Sequence, residues 1–153
     1  MKYVASENEC GNGAFDWSGG ERTFELINHY IGNGCVEYYL WNTILQDKGL
    51  SHWGWSQNAL VQVNSKEKTA RYTADYYAVK HYSHFINEGS KILGYKEVGQ
   101  KRVPILVATG RGHKFVVVAG NLSRDFQEMN IRLGDKYLKA NLPAHSFHTF
   151  VVD

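Results

Sequence analysis

No apolar run in this chain of 153 residues approaches the ~18–20 residues needed to cross a bilayer. No apolar signal core follows Met1-Lys2-Tyr3 either. Basic tracts are short. Lys66-Glu67-Lys68 is interrupted by an acid, and the formal net charge is only +2. A surface that tracks phosphates needs more than this, so nucleic acid is not an expected partner. There are two cysteines, Cys10 and Cys35, without the spacing of a zinc site or a redox pair. They read as thiols near neighbouring strand ends, and spacing alone does not decide whether they are bonded. Gly11-Asn12-Gly13 lacks the form of a phosphate loop and reads as a turn. No Ser-His-Asp arrangement follows from spacing, and there is neither an internal repeat nor a low-complexity tract.

What the chain does have is aromatic surface. Ten Tyr and four Trp, with 43% hydrophobic residues overall, are enough for a core in one ordinary domain or two small ones. Rings with a polar edge also suit flat polar ligands.

The pattern along the chain predicts a buried strand at residues 2–7, ending in two carboxylates and a Gly-rich turn. Phe24, Ile27 and Ile31 recur at helical spacing, so a helix is expected over residues 23–31, stopped by Gly32 and Gly34. Residues 35–42, ending in Trp41-Asn42, read as a second strand. The two strands should pair in parallel across the helix. Residues 43–58 are expected to be a long polar and aromatic loop containing His52-Trp53-Gly54-Trp55. A short strand at 59–63, a turn at 64–69 and a helix at 74–86 follow. That helix would have an aromatic face of Tyr76, Tyr77, Val79, Tyr82 and Phe85.

From Lys91 onward short strands recur at roughly ten-residue spacing. They are expected at 92–98, 105–109, 115–121, 127–133, 137–142 and 147–152. Val116-Val117-Val118 suits a strand buried on both faces. This is the pattern of a β-sandwich. The chain is therefore divided at Asn87-Glu88-Gly89-Ser90 into residues 1–88 and 89–153.

A carboxylate at the C-terminal tip of a strand suits catalysis as well as it suits a bare acidic turn. Several segments in order now weigh on that choice. They are Ala5-Ser6-Glu7, Glu9-Cys10-Gly11, Tyr39-Leu40-Trp41-Asn42, His52-Trp53-Gly54-Trp55 and Gln57-Asn58-Ala59-Leu60. Tyr76 to Phe85 and Leu142 to Phe150 continue the series. Together they resemble the C-terminal part of glycoside hydrolase family 30, the glucosylceramidase and β-1,6-glucanase group. The resemblance implies an α/β plus all-β chain: the last two strand-helix units of a (β/α)8 TIM barrel, followed by an antiparallel β-sandwich. It implies retaining hydrolysis of β-linked glycosides, with no cofactor or metal. Glu7, in Val4-Ala5-Ser6-Glu7, matches the nucleophile position, and Glu9 beside Cys10 is its rival. Trp41 would form a wall of the sugar subsite, extended by Trp53 and Trp55. An extracellular or lysosomal-like setting is implied in the same way.

The family's acid/base Glu stands in an Asn-Glu-Pro setting that this chain lacks. A full barrel takes about 250 residues, and about ninety precede the sandwich here. Two parallel strands cannot close a barrel. The chain is therefore expected to be a fragment or one part of a split enzyme, inactive alone. It should self-associate or bind a chain supplying the first six barrel units. The alternative is a non-catalytic carbohydrate-binding or structural module. His81 and His84 could suggest a metal pair but lack a third ligand, and His145 and His148 are expected within the last strand. Asn121-Leu122-Ser123 is an N-glycosylation acceptor pattern.

Overall fold

The computed structural model describes residues 1–8, 11–99, 103–110, 112 and 114–153. It divides into two compact units, Met1–His84 and Phe85–Asp153. No helix among the described residues is long and apolar enough to cross a membrane.

The first unit begins with β1 (Tyr3–Asn8), α1 (Trp17–Gly32) and β2 (Cys35–Leu40). β1 and β2 pair in parallel, as the strand-helix-strand pattern requires. α1 starts six residues earlier than its apolar periodicity suggests. Asp16 caps it, accepting the Gly19 N–H at 3.1 Å and the Ser18 hydroxyl at 2.7 Å. Gly19 and Gly20, ahead of the helix expected over residues 23–31, lie within this helix. Gly20 is buried, and a Cβ there would meet the Ala74 Cβ at 2.7 Å. Glycine at this position is what allows so close an approach.

Ala74 opens α2 (Ala74–Ser83), capped by Thr73, whose hydroxyl accepts from the Tyr76 N–H. α2 is three residues shorter than expected. Its buried face is also a different one. Asp75, Ala78 and Tyr82 are covered, at i, i+3 and i+7, while Tyr77 is exposed. Of the expected aromatic face only Tyr82 is fully committed to the core. Its ring lies 5.0 Å from that of Phe24, and its hydroxyl donates to the Phe24 carbonyl at 3.1 Å. Burial raises the Tyr82 pKa.

A buried carboxylate ties the two helices together. Asp75 accepts from the Thr23 hydroxyl of α1 at 2.7 Å and from Asn58 Nδ2 at 3.2 Å. Asn58 Oδ1 in turn accepts the Phe15 N–H at 3.1 Å. Desolvation raises the Asp75 pKa, and the two hydrogen bonds oppose that rise.

The expected loop at 43–58 carries a strand of its own. β3 (Ile44–Gln46) pairs in parallel with β4 (Val61–Asn64), and β4 pairs antiparallel with β5 (Thr69–Tyr72). β5 had no counterpart in the sequence reading. Its hairpin turn is made by Asn64, whose Oδ1 accepts the Lys66 and Glu67 N–H groups, each at 3.1 Å, and by Lys68 at φ +54°.

The second unit is rich in sheet. β6 (Ile92–Leu93), β7 (Ile105–Ala108), β8 (Phe115–Asn121) and β11 (Ser146–Val152) form a four-stranded antiparallel sheet in the order β11-β8-β7-β6. β9 (Gln127–Leu133) and β10 (Lys136–Leu142) form an antiparallel hairpin. This arrangement is consistent with a sandwich. Val116, Val117, Val118 and Ala119 of β8 are all almost fully buried. Alternate residues of a strand point to opposite faces, so both faces of β8 are covered, as its apolar run suggests. β6 is the shortest departure, two residues where seven were expected.

Two carboxylates in the first unit give opposite acid responses. Hydrogen bonds hold the Asp16 pKa below its ordinary value, so its contribution is complete above that value and is lost as pH falls through the lowered one. Asp16→Ala should cost about 1 kcal/mol at neutral pH, and this deficit should shrink in acid-titrated urea melts. Asp75, with its raised pKa, takes up a proton in the folded state first, so its ionised form is a burden that acidification relieves. Asp75→Ala leaves Thr23 and Asn58 without their acceptor and should cost about 1–3 kcal/mol in the same melts.

Candidate active site

Glu7 is the penultimate residue of β1, and its side chain is exposed. Strict alternation would set Ser6 and Glu7 on opposite sides. The register breaks here instead. Ala5 pairs with Tyr38 and Asn8 with Leu40, so three steps on β1 match two on β2. This is a bulge, a device that re-aims a side chain at a strand end. Both Ser6 and Glu7 are consequently exposed, while Ala5 and Asn8 on either side are buried.

Asn8 holds the bulge in place. Its Nδ2 donates to the Ala5 carbonyl at 3.2 Å and to the Tyr39 carbonyl at 3.1 Å. Its own carbonyl accepts the Trp41 N–H at 2.9 Å. Trp41, the residue after β2, is therefore fastened across from the residue after Glu7. The residue is 46% exposed. The chain then turns at Asn42, which has φ +73° and donates to Gln57 Oε1 at 2.8 Å.

Trp53 and Trp55 occupy a tight loop closed by the Ser51 N–H on the Trp55 carbonyl at 2.7 Å. Their rings lie 5.9 Å apart at 35°, and they are 75% and 60% exposed. The ring contacts of Trp53 run to His52 and Trp55 within this loop. The structure thus joins Trp41 to the Glu7 strand end and pairs the rings of Trp53 and Trp55.

Sequence reasoning passed over Glu37 and Tyr39. Tyr39 donates to Glu37 Oε2 at 2.6 Å, and this hydrogen bond raises its pKa, with repulsion from the carboxylate adding to the effect. The signal was available. Residues 37, 39 and 41 recur at the period of two that shares one strand face. Glu37 is aligned with Val4, so it lies roughly 7–10 Å along the sheet from Glu7 at about 3.3 Å per residue.

A cleft of about 320 Å³ lies at the start of α1, lined by Gly11, Asn12, Asp16, Ser18, Gly19 and Arg22. Neither Glu7 nor Trp41 lines it. Their setting is an open sheet face. Glu9 and Cys10 lie outside the described residues, and Cys35 is a free, half-buried thiol. Among the described residues no three His, Cys, Asp or Glu side chains gather as a metal site. His81 instead packs edge-on against Phe24, with centroids 6.4 Å apart. His145 precedes β11 at φ +53°, outside the strand that was expected to hold it. His148 is within β11, where burial lowers its pKa. Ser146 Oγ, 2.8 Å from His148 Nε2, also donates to the Pro143 carbonyl at 2.6 Å. With its only proton so used, the serine accepts from the histidine and is no activated nucleophile.

The glycosylation pattern is likewise absorbed by structure. Asn121 is fully buried. Its Nδ2 meets the carbonyls of Asp125, Leu142 and Pro143 at 2.8–3.0 Å, and its Oδ1 accepts from Ser123 and Gln127. It pins the end of β8 to the end of β10.

Solved structures similar to this chain are glycoside hydrolases by their titles where those state an activity. SrfJ from Salmonella typhimurium matches with a TM-score of 0.83 and 18% identity, over 99% of this chain and 35% of its own. The endo-β1,6-glucanase BT3312 matches at 0.83 and 19%, over 97% of this chain and 35% of its own. The catalytic domain of the GH30 xylanase C from Talaromyces cellulolyticus matches at 0.79 and 14%, over 100% of this chain and 41% of its own. The fold is that of glycoside hydrolase family 30 structures, over the whole of this chain. The chain spans well under half the length of these matches. No protein-family model and no curated protein matches it.

Asn121→Asp tests the pin. It sets a carboxylate against three carbonyl oxygens, and the expected loss is at least about 3 kcal/mol in chemical denaturation.

Proposed function

We propose that this chain is the nucleophile-bearing portion of a retaining β-glycoside hydrolase. In this reading β1, α1, β2 and the elements up to α2 are the last two strand-helix units of a (β/α)8 barrel, and the second unit is its β-sandwich. The observation that carries it is the exposed Glu7 carboxylate on a bulged C-terminal strand end, with Trp41 fastened beside it through Asn8. The resemblance to family 30 in ordered sequence segments supports it, and so does the shared fold. Glu7 attacks the anomeric carbon, and the apolar face of the sugar ring packs on Trp41. Retention needs an acid about 5–5.5 Å from the nucleophile. Glu37, three positions back along the sheet and hydrogen-bonded to the Tyr39 hydroxyl at 2.6 Å, is not assigned that role. The acid lies beyond these 153 residues, which by themselves hydrolyse ordinary glycosides at background rates.

A leaving group that needs no protonation removes the requirement for that acid. A 2-deoxy-2-fluoro β-glycosyl donor with a dinitrophenolate leaving group should therefore label Glu7, as located by peptide mass spectrometry. Glu7→Gln should abolish the label, and Trp41→Ala should weaken its concentration dependence roughly tenfold. Label on another residue, or rapid turnover of an unactivated β-glucoside by the chain alone, would refute the assignment.

The exposed Trp53–Trp55 pair favours a second reading, a carbohydrate-binding module without catalysis. Glycan retention that survives Glu7→Gln but not Trp53→Ala, with no covalent label, would support that one.

A further inference from the structure

We infer that Asn12 is a self-modification site, at which the folded chain converts this asparagine to aspartate and isoaspartate by way of a cyclic imide. Two Asn-Gly pairs occur in the sequence, Asn12-Gly13 and Asn33-Gly34. Glycine has no Cβ, so it leaves its nitrogen open to the preceding side-chain amide. By sequence the two pairs are equal, and the structure separates them.

The Asn12 side-chain oxygen accepts the Ala14 N–H at 3.1 Å. An Asx turn of this kind folds the side chain back along the backbone that carries the Gly13 nitrogen. The Ala14 N–H also faces the oxygen on which negative charge develops during attack. Among the described residues no carbonyl accepts the Gly13 N–H. Nor can a shielding residue replace Gly13, which has φ +79°, because a Cβ there would meet Ser56 Cβ at 2.6 Å and the Lys48 carbonyl oxygen at 2.7 Å.

Asn33 is held differently. The Gly34 N–H donates to the Ile31 carbonyl at 3.1 Å, and Asn33 Nδ2 donates to the His29 carbonyl at 2.7 Å. Attack at Asn33 must first break these bonds of the α1 C-cap. Asn64 gives a second contrast. Its Oδ1 accepts the Lys66 N–H, as Asn12 accepts that of Ala14, but the Ser65 N–H is spent on Asp47 Oδ1 at 3.2 Å. Of these three asparagines only Asn12 joins an activated side-chain carbonyl to a following glycine nitrogen.

The step needs water and no other reactant. Gly13 N gives its proton to solvent base and bonds to Asn12 Cγ. The Cγ–Nδ2 bond breaks, and Nδ2 takes up a proton and leaves as ammonia. Water then opens one C–N bond of the imide, its hydroxyl going to carbon and its hydrogen to nitrogen. The product is a carboxylate in the cleft that Asn12 shares with Asp16 and Arg22. Isoaspartate also adds a main-chain carbon beside the closely packed Gly13. None of this requires Glu7 to be a nucleophile.

The test incubates the full chain in oxygen-labelled water at mildly alkaline pH, folded and in urea, and locates the incorporated label by peptide mass spectrometry. Trypsin sets Asn12, Asn33 and Asn64 in separate peptides, residues 3–22, 23–48 and 49–66. In the folded chain Asn12 should take up label at least about tenfold faster than Asn33 or Asn64. In urea the rates of Asn12 and Asn33 should converge. Ala14→Pro removes the N–H that Asn12 accepts. With the circular dichroism unchanged, it should slow labelling of Asn12 severalfold. Equal rates at Asn12 and Asn33 in the folded chain, an Asn12 slower folded than in urea, or a folded Ala14→Pro variant labelled at the original rate would each overturn the inference. The first two comparisons use the unsubstituted chain, so they decide the matter even where Ala14→Pro does not fold.

Discussion

One buried carboxylate sets the geometry of the first unit. Asp75 stands at the start of α2, out of contact with solvent, with Thr23 of α1 and Asn58 as its donors. A carboxyl group out of reach of water holds its position only if its hydrogen bonds are good, which makes this cluster intolerant of displacement. Asn58 carries the constraint onward to Phe15, which has φ +54° and precedes the cap of α1. The place where the chain enters α1 from the strand end is thus fixed from three elements at once. Gly20 against Ala74 completes the arrangement by letting the helices approach closely.

That rigid side supports an exposed one. α1 covers one face of the parallel pair, and the bulge at Ser6-Glu7 turns polar side chains toward the open surface. Asn8 is the hinge of this division. Its side chain is spent on the backbone of both strands, so the bulge is defined without any help from Glu7. A carboxylate relieved of structural duty and exposed beside an indole is free to meet a ligand. Asp75 and Asp16, by contrast, are engaged in holding the fold.

In the second unit β8 was legible because Val116-Val117-Val118 runs unbroken between turns, and β9 because Met129, Ile131 and Leu133 alternate with polar residues. β8 and β9 lie where the sequence expects them. The parallel pairing of β1 and β2 was legible from the helix between them. The start of α1 was not, because Gly19-Gly20 signals a loop unless the close contact with Ala74 is known. β3 and β5 were hidden because each is too short to show a period. The buried face of α2 was misjudged for a different reason. Tyr76 and Tyr77 are apolar enough to suggest a core, yet Asp75 and Ala78 take the inward positions through hydrogen bonding and small size. Glu7 and Trp41 came from ordered motifs, whereas the Glu37–Tyr39 pair needed only the alternation that Trp41 already implied.

The same alternation bears on how the open sheet could work once covered. Glu37, Tyr39 and Trp41 form a line along one face of β2, from a hydrogen-bonded carboxylate to an exposed ring. Covering that face would remove water from the Glu37–Tyr39 hydrogen bond and strengthen it, since a charge-assisted bond gains in a low dielectric. The carboxylate would then require a further donor, because Tyr39 satisfies only one of its oxygens. Trp41, at the end of the line and tied to Asn8, would remain at the rim, where an amphipathic ring is of most use to a ligand.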